Sequence, residues 1–130
     1  MPGHKTKNDL PRVKNALVRM REVLDKLDQD PIYQDALIQR FEFTIELFWK
    51  CLKHLLEQEK IEARSPLMAF KEAHTLGWLK GGEEIWLKML DDRNLTSHTY
   101  NQILALEIIG RIPAYYAAIK TVVDNMKEGA

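Results

Sequence analysis

The sequence predicts an all-α protein, an antiparallel up-and-down bundle of about five helices. Three observations predict it. Apolar residues recur at three- and four-residue intervals over long stretches, which places them on one face of a helix. These stretches are bounded by residues that start or stop helices, namely Asp30-Pro31, Ser65-Pro66, Gly77 and Gly81-Gly82. No stretch alternates apolar and polar residues as a half-buried strand does. With 130 residues and 45% hydrophobic content the chain has apolar material for one core, so residues 8–130 are expected to form a single domain behind a flexible, lightly basic tail at residues 1–7.

The first helix is expected to start at an Asn8 or Asp9 cap, with Pro11 in its opening turn, and to run to about Asp28. Leu10, Val13, Leu17, Met20, Leu24 and Leu27 form its apolar stripe. A cap at Asp30 and Pro31 at the first helical position open the second helix. Its apolar positions, from Ala36 and Leu37 through Phe41, Ile45, Phe48 and Leu52 to Leu55, hold period for about seven turns. Phe43, Leu47 and Trp49 widen that face beyond what one neighbour needs, which predicts a central helix touching several others or a second subunit. Glu46 stands four residues before Lys50, so it either supports that lysine at the surface or, with Glu42 as the other candidate, braces a cation elsewhere.

Ser65-Pro66 opens a third, shorter helix carrying Leu67, Phe70, Ala73 and His74, which Gly77 ends near Leu76. Ile85, Trp86, Met89 and Leu90 define a fourth, whose tail delivers Asp92 and Arg93. The fifth is expected from Tyr100 or Asn101, with Ile103, Leu106, Ile109, Ile112, Tyr116, Ile119, Val123 and Met126 in step. Pro113 removes a backbone donor and crowds the Ile109 carbonyl, which predicts a bend or break.

Composition narrows the chemistry. Nineteen basic residues balance nineteen acidic ones, so no global field draws in a polyanion and any nucleic-acid contact must be local. The single cysteine, Cys51, cannot form an internal disulfide and reads as a core residue in a reducing cytoplasm. Cys51 and His54 share a helix face, but no companion pair stands at ligand spacing, so no metal or other cofactor is expected. With no apolar run of membrane-spanning length and no signal-peptide pattern, the reading is a soluble cytoplasmic protein. No phosphate-binding glycine loop is present, so this chain is not expected to transfer nucleotides itself.

The chemically dense stretch is Asp91-Asp92-Arg93-Asn94-Leu95-Thr96-Ser97-His98-Thr99-Tyr100-Asn101. The guanidinium of Arg93 presents a fork of donors matched to phosphate oxygens, and His98 can give or take a proton near neutrality. Together the two suffice to cleave RNA without metal: the imidazole activates a ribose 2′-hydroxyl and the cation steadies the crowded phosphate. Spacing resists this, because five residues on an ideal helix turn through about 500°, leaving the two positions about 140° apart. They converge only if the helix ends between them or a symmetry mate supplies one; Thr96, Ser97, Thr99 and Asn101, all capping types, favour an ending. A structural reading stands beside this one, in which Arg93 pairs with Asp91, Asp92 or an acid on another helix and His98 caps a helix end.

The run from Arg93 to Tyr100 resembles the R-[polar]-x-x-x-H-x-Y signature of the HEPN superfamily. More narrowly, with Arg40-Phe41-Glu42-Phe43-Thr44-Ile45-Glu46-Leu47-Phe48-Trp49-Lys50 as a second block, the chain is similar over residues 8–127 to nucleotidyltransferase substrate-binding subunits. That resemblance implies a HEPN-like bundle and a minimal nucleotidyltransferase partner encoded nearby, the pair acting as a toxin-antitoxin-like system. It implies a ribonuclease-like site of Arg93, Asn94 and His98 that takes RNA or a nucleotide, and Tyr100 as the hydroxyl to which the partner attaches AMP. Three functions follow: a binding subunit modified at Tyr100, an active metal-independent ribonuclease, or a non-catalytic dimerisation scaffold. A symmetric homodimer with its two-fold axis near the motif is expected, since it would bring two copies of Arg93 and His98 to one cleft.

Overall fold

Five α-helices follow one another: α1 (Pro2–Asp25), α2 (Ile32–Gln58), α3 (Pro66–Thr75), α4 (Glu83–His98) and α5 (Gln102–Asp124). The computed structural model describes the backbone of residues 2–98 and 101–126 and the side chains of residues 8–96 and 101–126, and no strand occurs among them. Local chemistry accounts for the starts. The Asp30 carboxylate accepts from the Ile32 N–H at 2.9 Å, Ser65 Oγ from Met68 N–H at 3.2 Å, and Asn101 Oδ1 from the N–H groups of Ile103 and Leu104 at 3.0 and 3.1 Å. Each satisfies donors that a helix's first turn leaves open. Gly77, at φ +79°, takes the left-handed conformation that stops α3.

α2 is the central helix and packs against the other four. It buries Leu37, Phe41, Ile45, Phe48, Leu52 and Leu56 completely. Phe48 meets Phe70 of α3 edge-on at 5.8 Å and stacks with Trp86 of α4 at 5.9 Å, while Phe70 and Trp86 close the triangle at 5.8 Å. The Trp86 indole N–H donates to the Lys80 carbonyl at 2.9 Å, so the loop entering α4 is fixed from inside the core. Nearer the motif, Phe41 stacks on Tyr115 of α5 at 5.6 Å and ties α5 to the central helix. Thr44, a buried polar residue in this row, returns its hydroxyl to the Arg40 carbonyl at 2.7 Å.

Four expectations are corrected. α1 begins at Pro2, ahead of the expected cap, and Pro11 lies inside it; the Asp9 carboxylate turns to the His54 ring of α2 instead of capping backbone donors. α1 ends at Asp25, and residues 26–29 form a turn before α2. α5 continues through Pro113 unbroken: the proline stands on the exposed face, where water can serve the carbonyl that loses its partner, while Ile112 and Tyr115 anchor both sides. The buried face of α5 is Ile108, Ile109, Ile112, Tyr115, Ile119, Val122 and Val123, leaving Ile103 and Leu106 72% and 45% exposed.

Candidate functional site

The last two turns of α4 carry the site. Met89 and Leu90 are buried, and Asp92 and Arg93 follow them on the inner side of the helix. The Asp92 carboxylate is wholly buried and accepts three hydrogen bonds from α5: Arg111 Nε at 2.7 Å, Arg111 Nη2 at 2.9 Å and the Tyr115 hydroxyl at 2.5 Å. A guanidinium fork on both carboxylate oxygens is the strong form of this pairing. The hydrogen bond from Arg111 to Asp92, with the charge of that carboxylate, raises the arginine pKa further above its ordinary value. Burial, then the hydrogen bond to Asp92 and its charge, push the Tyr115 phenol up too, so it stays a donor.

Arg93 occupies a different setting. Its Nη2 donates to Glu46 Oε2 of α2 at 3.0 Å and its Nη1 to Asn94 Oδ1 at 3.3 Å. Glu46 also receives the Trp49 indole N–H at 3.2 Å and the Lys50 ammonium at 3.1 Å. Burial pushes the Glu46 carboxyl up, but hydrogen bonds from Lys50 and Trp49 and the charges of Lys50 and Arg93 outweigh it, holding the group below its ordinary value. Both readings of Glu46 therefore hold at once: it supports Lys50 and it braces Arg93. Arg93 does not rest on Asp92, which Arg111 and Tyr115 occupy. The Thr96 hydroxyl donates to the Arg93 carbonyl at 2.8 Å, tightening the turn that carries the cation.

Beside this turn a cleft of about 330 Å³ opens between α2, α4 and α5. Ile38, Leu104, Ala105 and Ile108 give it an apolar floor, and Asp35, Gln39, Leu95, Thr96 and Asn101 lie around its mouth. Among the described residues no three His, Cys, Asp or Glu side chains are grouped to hold a metal ion. Cys51 is buried in the core, its thiol pushed up to about 12 by burial and then by the charge of Asp9.

Of the residues singled out in the sequence, Arg93 and Asn94 stand together. The backbone of α4 stays helical through His98, so the expected ending between positions 93 and 98 is absent, and the two positions lie about 140° apart around the axis. The His98 ring and the whole of Tyr100 lie outside the described residues. Sequence reasoning missed Arg111 and Tyr115. Their signal was faint: a cation and a phenol four apart on a helix whose other inward residues are apolar, able to answer a buried acid elsewhere.

Comparison with known proteins agrees with this architecture. A probable ribonuclease HepT of Haemophilus influenzae is 33% identical over 109 residues, covering 77% of this chain and 74% of that protein. A crystal structure of a protein from Thermus thermophilus superposes with a TM-score of 0.79 at 39% identity, over 86% of this chain and 96% of the other. The tri-AMPylated Shewanella oneidensis HEPN toxin, solved in complex with MNT antitoxin, shares the fold at a TM-score of 0.75 and 19% identity, over 92% and 93% of the two chains. The family model described as nucleotidyltransferase substrate binding protein like matches residues 8–128. With nearly the whole bundle inside that match, the chain belongs to the nucleotidyltransferase substrate-binding protein family, of HEPN type.

Proposed function

We propose that this chain is the HEPN-type subunit of a two-component, toxin-antitoxin-like system, paired with a minimal nucleotidyltransferase that attaches AMP to Tyr100. The observation that carries the reading is the Arg93 guanidinium, held by Glu46 with Asn94 beside it, one helical turn before Thr96, which lines the cleft. The solved Shewanella toxin, AMPylated and bound to its MNT antitoxin, supports the kind of partner and modification. Arg93 and Asn94 bind phosphate, and His98 moves the proton. Because positions 93 and 98 diverge on one continuous helix, the site is completed across a homodimer, the second chain supplying one of the two. AMP on Tyr100 would add bulk and negative charge beside the cation and so suppress phosphate binding. Incubation with the cognate nucleotidyltransferase and ATP is expected to add AMP mass to the wild type and none to Tyr100→Phe, by intact mass spectrometry. No adduct on the wild type would end the modification claim.

The second reading, an active metal-independent ribonuclease, is favoured by the name of the Haemophilus relative. In it His98 takes the 2′-hydroxyl proton, the oxygen attacks phosphorus to close a 2′,3′-cyclic phosphate, and the 5′-oxygen leaves with a proton. Arg93→Ala and His98→Ala should each abolish RNA cleavage that persists in EDTA; cleavage that survives both belongs to another protein or another site. A pure scaffold, the remaining reading, predicts that Arg93→Ala changes stability and leaves RNA binding untouched.

A further inference from the structure

The cleft beside Arg93 has the chemistry of a base-reading pocket. Its floor, Ile38, Leu104 and Ile108, offers apolar side chains to the flat face of a ring. Its polar groups stand at the mouth and differ in kind. Asp35, in the first turn of α2, is a pure acceptor with two oxygens side by side. Asn101 spends its side-chain oxygen on the N–H groups of Ile103 and Leu104, so what it can offer the cleft is its amide NH2. Thr96 lines the cleft and bonds the Arg93 carbonyl one helical turn away, about 4.5 Å along the axis, comparable with the span of one ribose. The guanidinium itself meets Glu46, about 10.5 Å along α2 from the lining residue Gln39, a gap comparable with the span of an extended nucleotide from phosphate to far base edge.

We propose that this cleft binds the nucleobase next to the phosphate held by Arg93, and that Asp35 selects guanine. The inference rests on the reading of Arg93 as a phosphate ligand and adds the base that the site prefers. The selection follows from edge chemistry. Guanine alone among the four RNA bases presents two adjacent N–H donors, the ring N1–H and the 2-amino group, which one carboxylate can accept as a parallel pair. Adenine presents a single amino group flanked by ring acceptors, and cytosine and uracil offer a single donor group each. The guanine 6-oxo oxygen, on the same edge, is an acceptor for an amide NH2 such as that of Asn101.

Binding of the nucleoside 3′-monophosphates, followed by calorimetry or amide chemical shifts on the intact protein, tests this without requiring any cleavage. The guanosine nucleotide is expected to bind about tenfold more tightly than the adenosine, cytidine and uridine nucleotides. The inosine nucleotide, lacking only the 2-amino group, should fall between. Asp35→Asn, a change of the same size at an exposed position, should remove the guanosine preference, and Asp35→Ala should do the same. Arg93→Ala should weaken all five nucleotides by a similar factor while leaving their order. Equal binding of all five, a preference for adenosine, no binding of any at millimolar concentration, or a guanosine preference that survives Asp35→Asn overturns the proposal. Guanosine-selective binding without RNA cleavage would mean that the ribonuclease reading failed and this one did not; cleavage with no base preference would mean the reverse.

Discussion

Asp92 and Arg93 are joined by one peptide bond, yet the charge of the first is locked and that of the second can be shared. The Asp92 side chain is 0% exposed and both its oxygens are occupied from α5, by a guanidinium fork and a phenol. The Arg93 side chain is 29% exposed, and its counter-ion Glu46 divides itself among Arg93, Lys50 and Trp49. A buried carboxylate saturated by one neighbouring helix is a bolt between helices, because withdrawing any donor strands charge in a dry site. A half-exposed cation on a shared carboxylate can exchange part of that contact for a phosphate oxygen with little penalty. The bolt and the shared cation are adjacent, so the rigidity that α5 gives Asp92 passes directly to the turn that carries Arg93.

The sharpest way to break this contrast is to remove the bolt. Asp92→Ala strands the Arg111 guanidinium and the Tyr115 hydroxyl, and is expected to cost about 3–5 kcal/mol, read as a lower urea midpoint. A loss under about 1 kcal/mol would place Asp92 with the surface pairs instead. Tyr115→Phe removes one hydrogen bond to a charged group but keeps the ring on Phe41, so a smaller loss of about 1.5–3 kcal/mol is expected from the same measurement. Arg93→Ala should cost no more than about 1 kcal/mol, since its ion pair is partly solvated and its neighbours stay paired.

Which side of this contrast could be read in advance depended on how local its cause is. The start of α2 at Ile32, that of α3 at Pro66 and the cap at Asn101 were legible because a capping side chain acts within three residues of itself. The length of α1 was not: Asp9 looks like a cap, but its carboxylate goes to His54, 45 residues away. On α5 the expected row is buried at Ile109, Ile112, Ile119 and Val123 but not at its start, where Ile103 and Leu106 are exposed and Ile108 is buried, and periodicity alone cannot choose between those starts. The choice turns on Arg111 and Tyr115 reaching Asp92, and the start on their face, Ile108, is the one that is buried. The pairing of Arg93 was legible in part, with Glu46 among its possible braces, whereas the cleft near it belongs to three helices at once and leaves no mark on any one of them.

Glu46 supplies the smallest and most diagnostic effect. Its folded-state pKa lies below the ordinary value of 4.5, so the stability it contributes is fully present above that pH and is lost as pH falls through the lower, folded-state value. Glu46→Gln keeps the length and the hydrogen-bonding oxygen but discards the charge, so wild type minus variant isolates the ionic part. At 35% exposure that part is discounted for solvent, to at most about 1 kcal/mol near neutrality. Urea midpoints of the two proteins between about pH 3 and pH 7 should show a constant gap above the ordinary carboxylate range and a closing gap below it. Added salt should narrow the gap at neutral pH, whereas the large Asp92→Ala loss should barely respond, because a buried pair is screened far less than a half-exposed one. A Glu46→Gln gap that held constant into acid would mean that the carboxylate charge is not what steadies Arg93, and the two adjacent residues would then differ in burial alone.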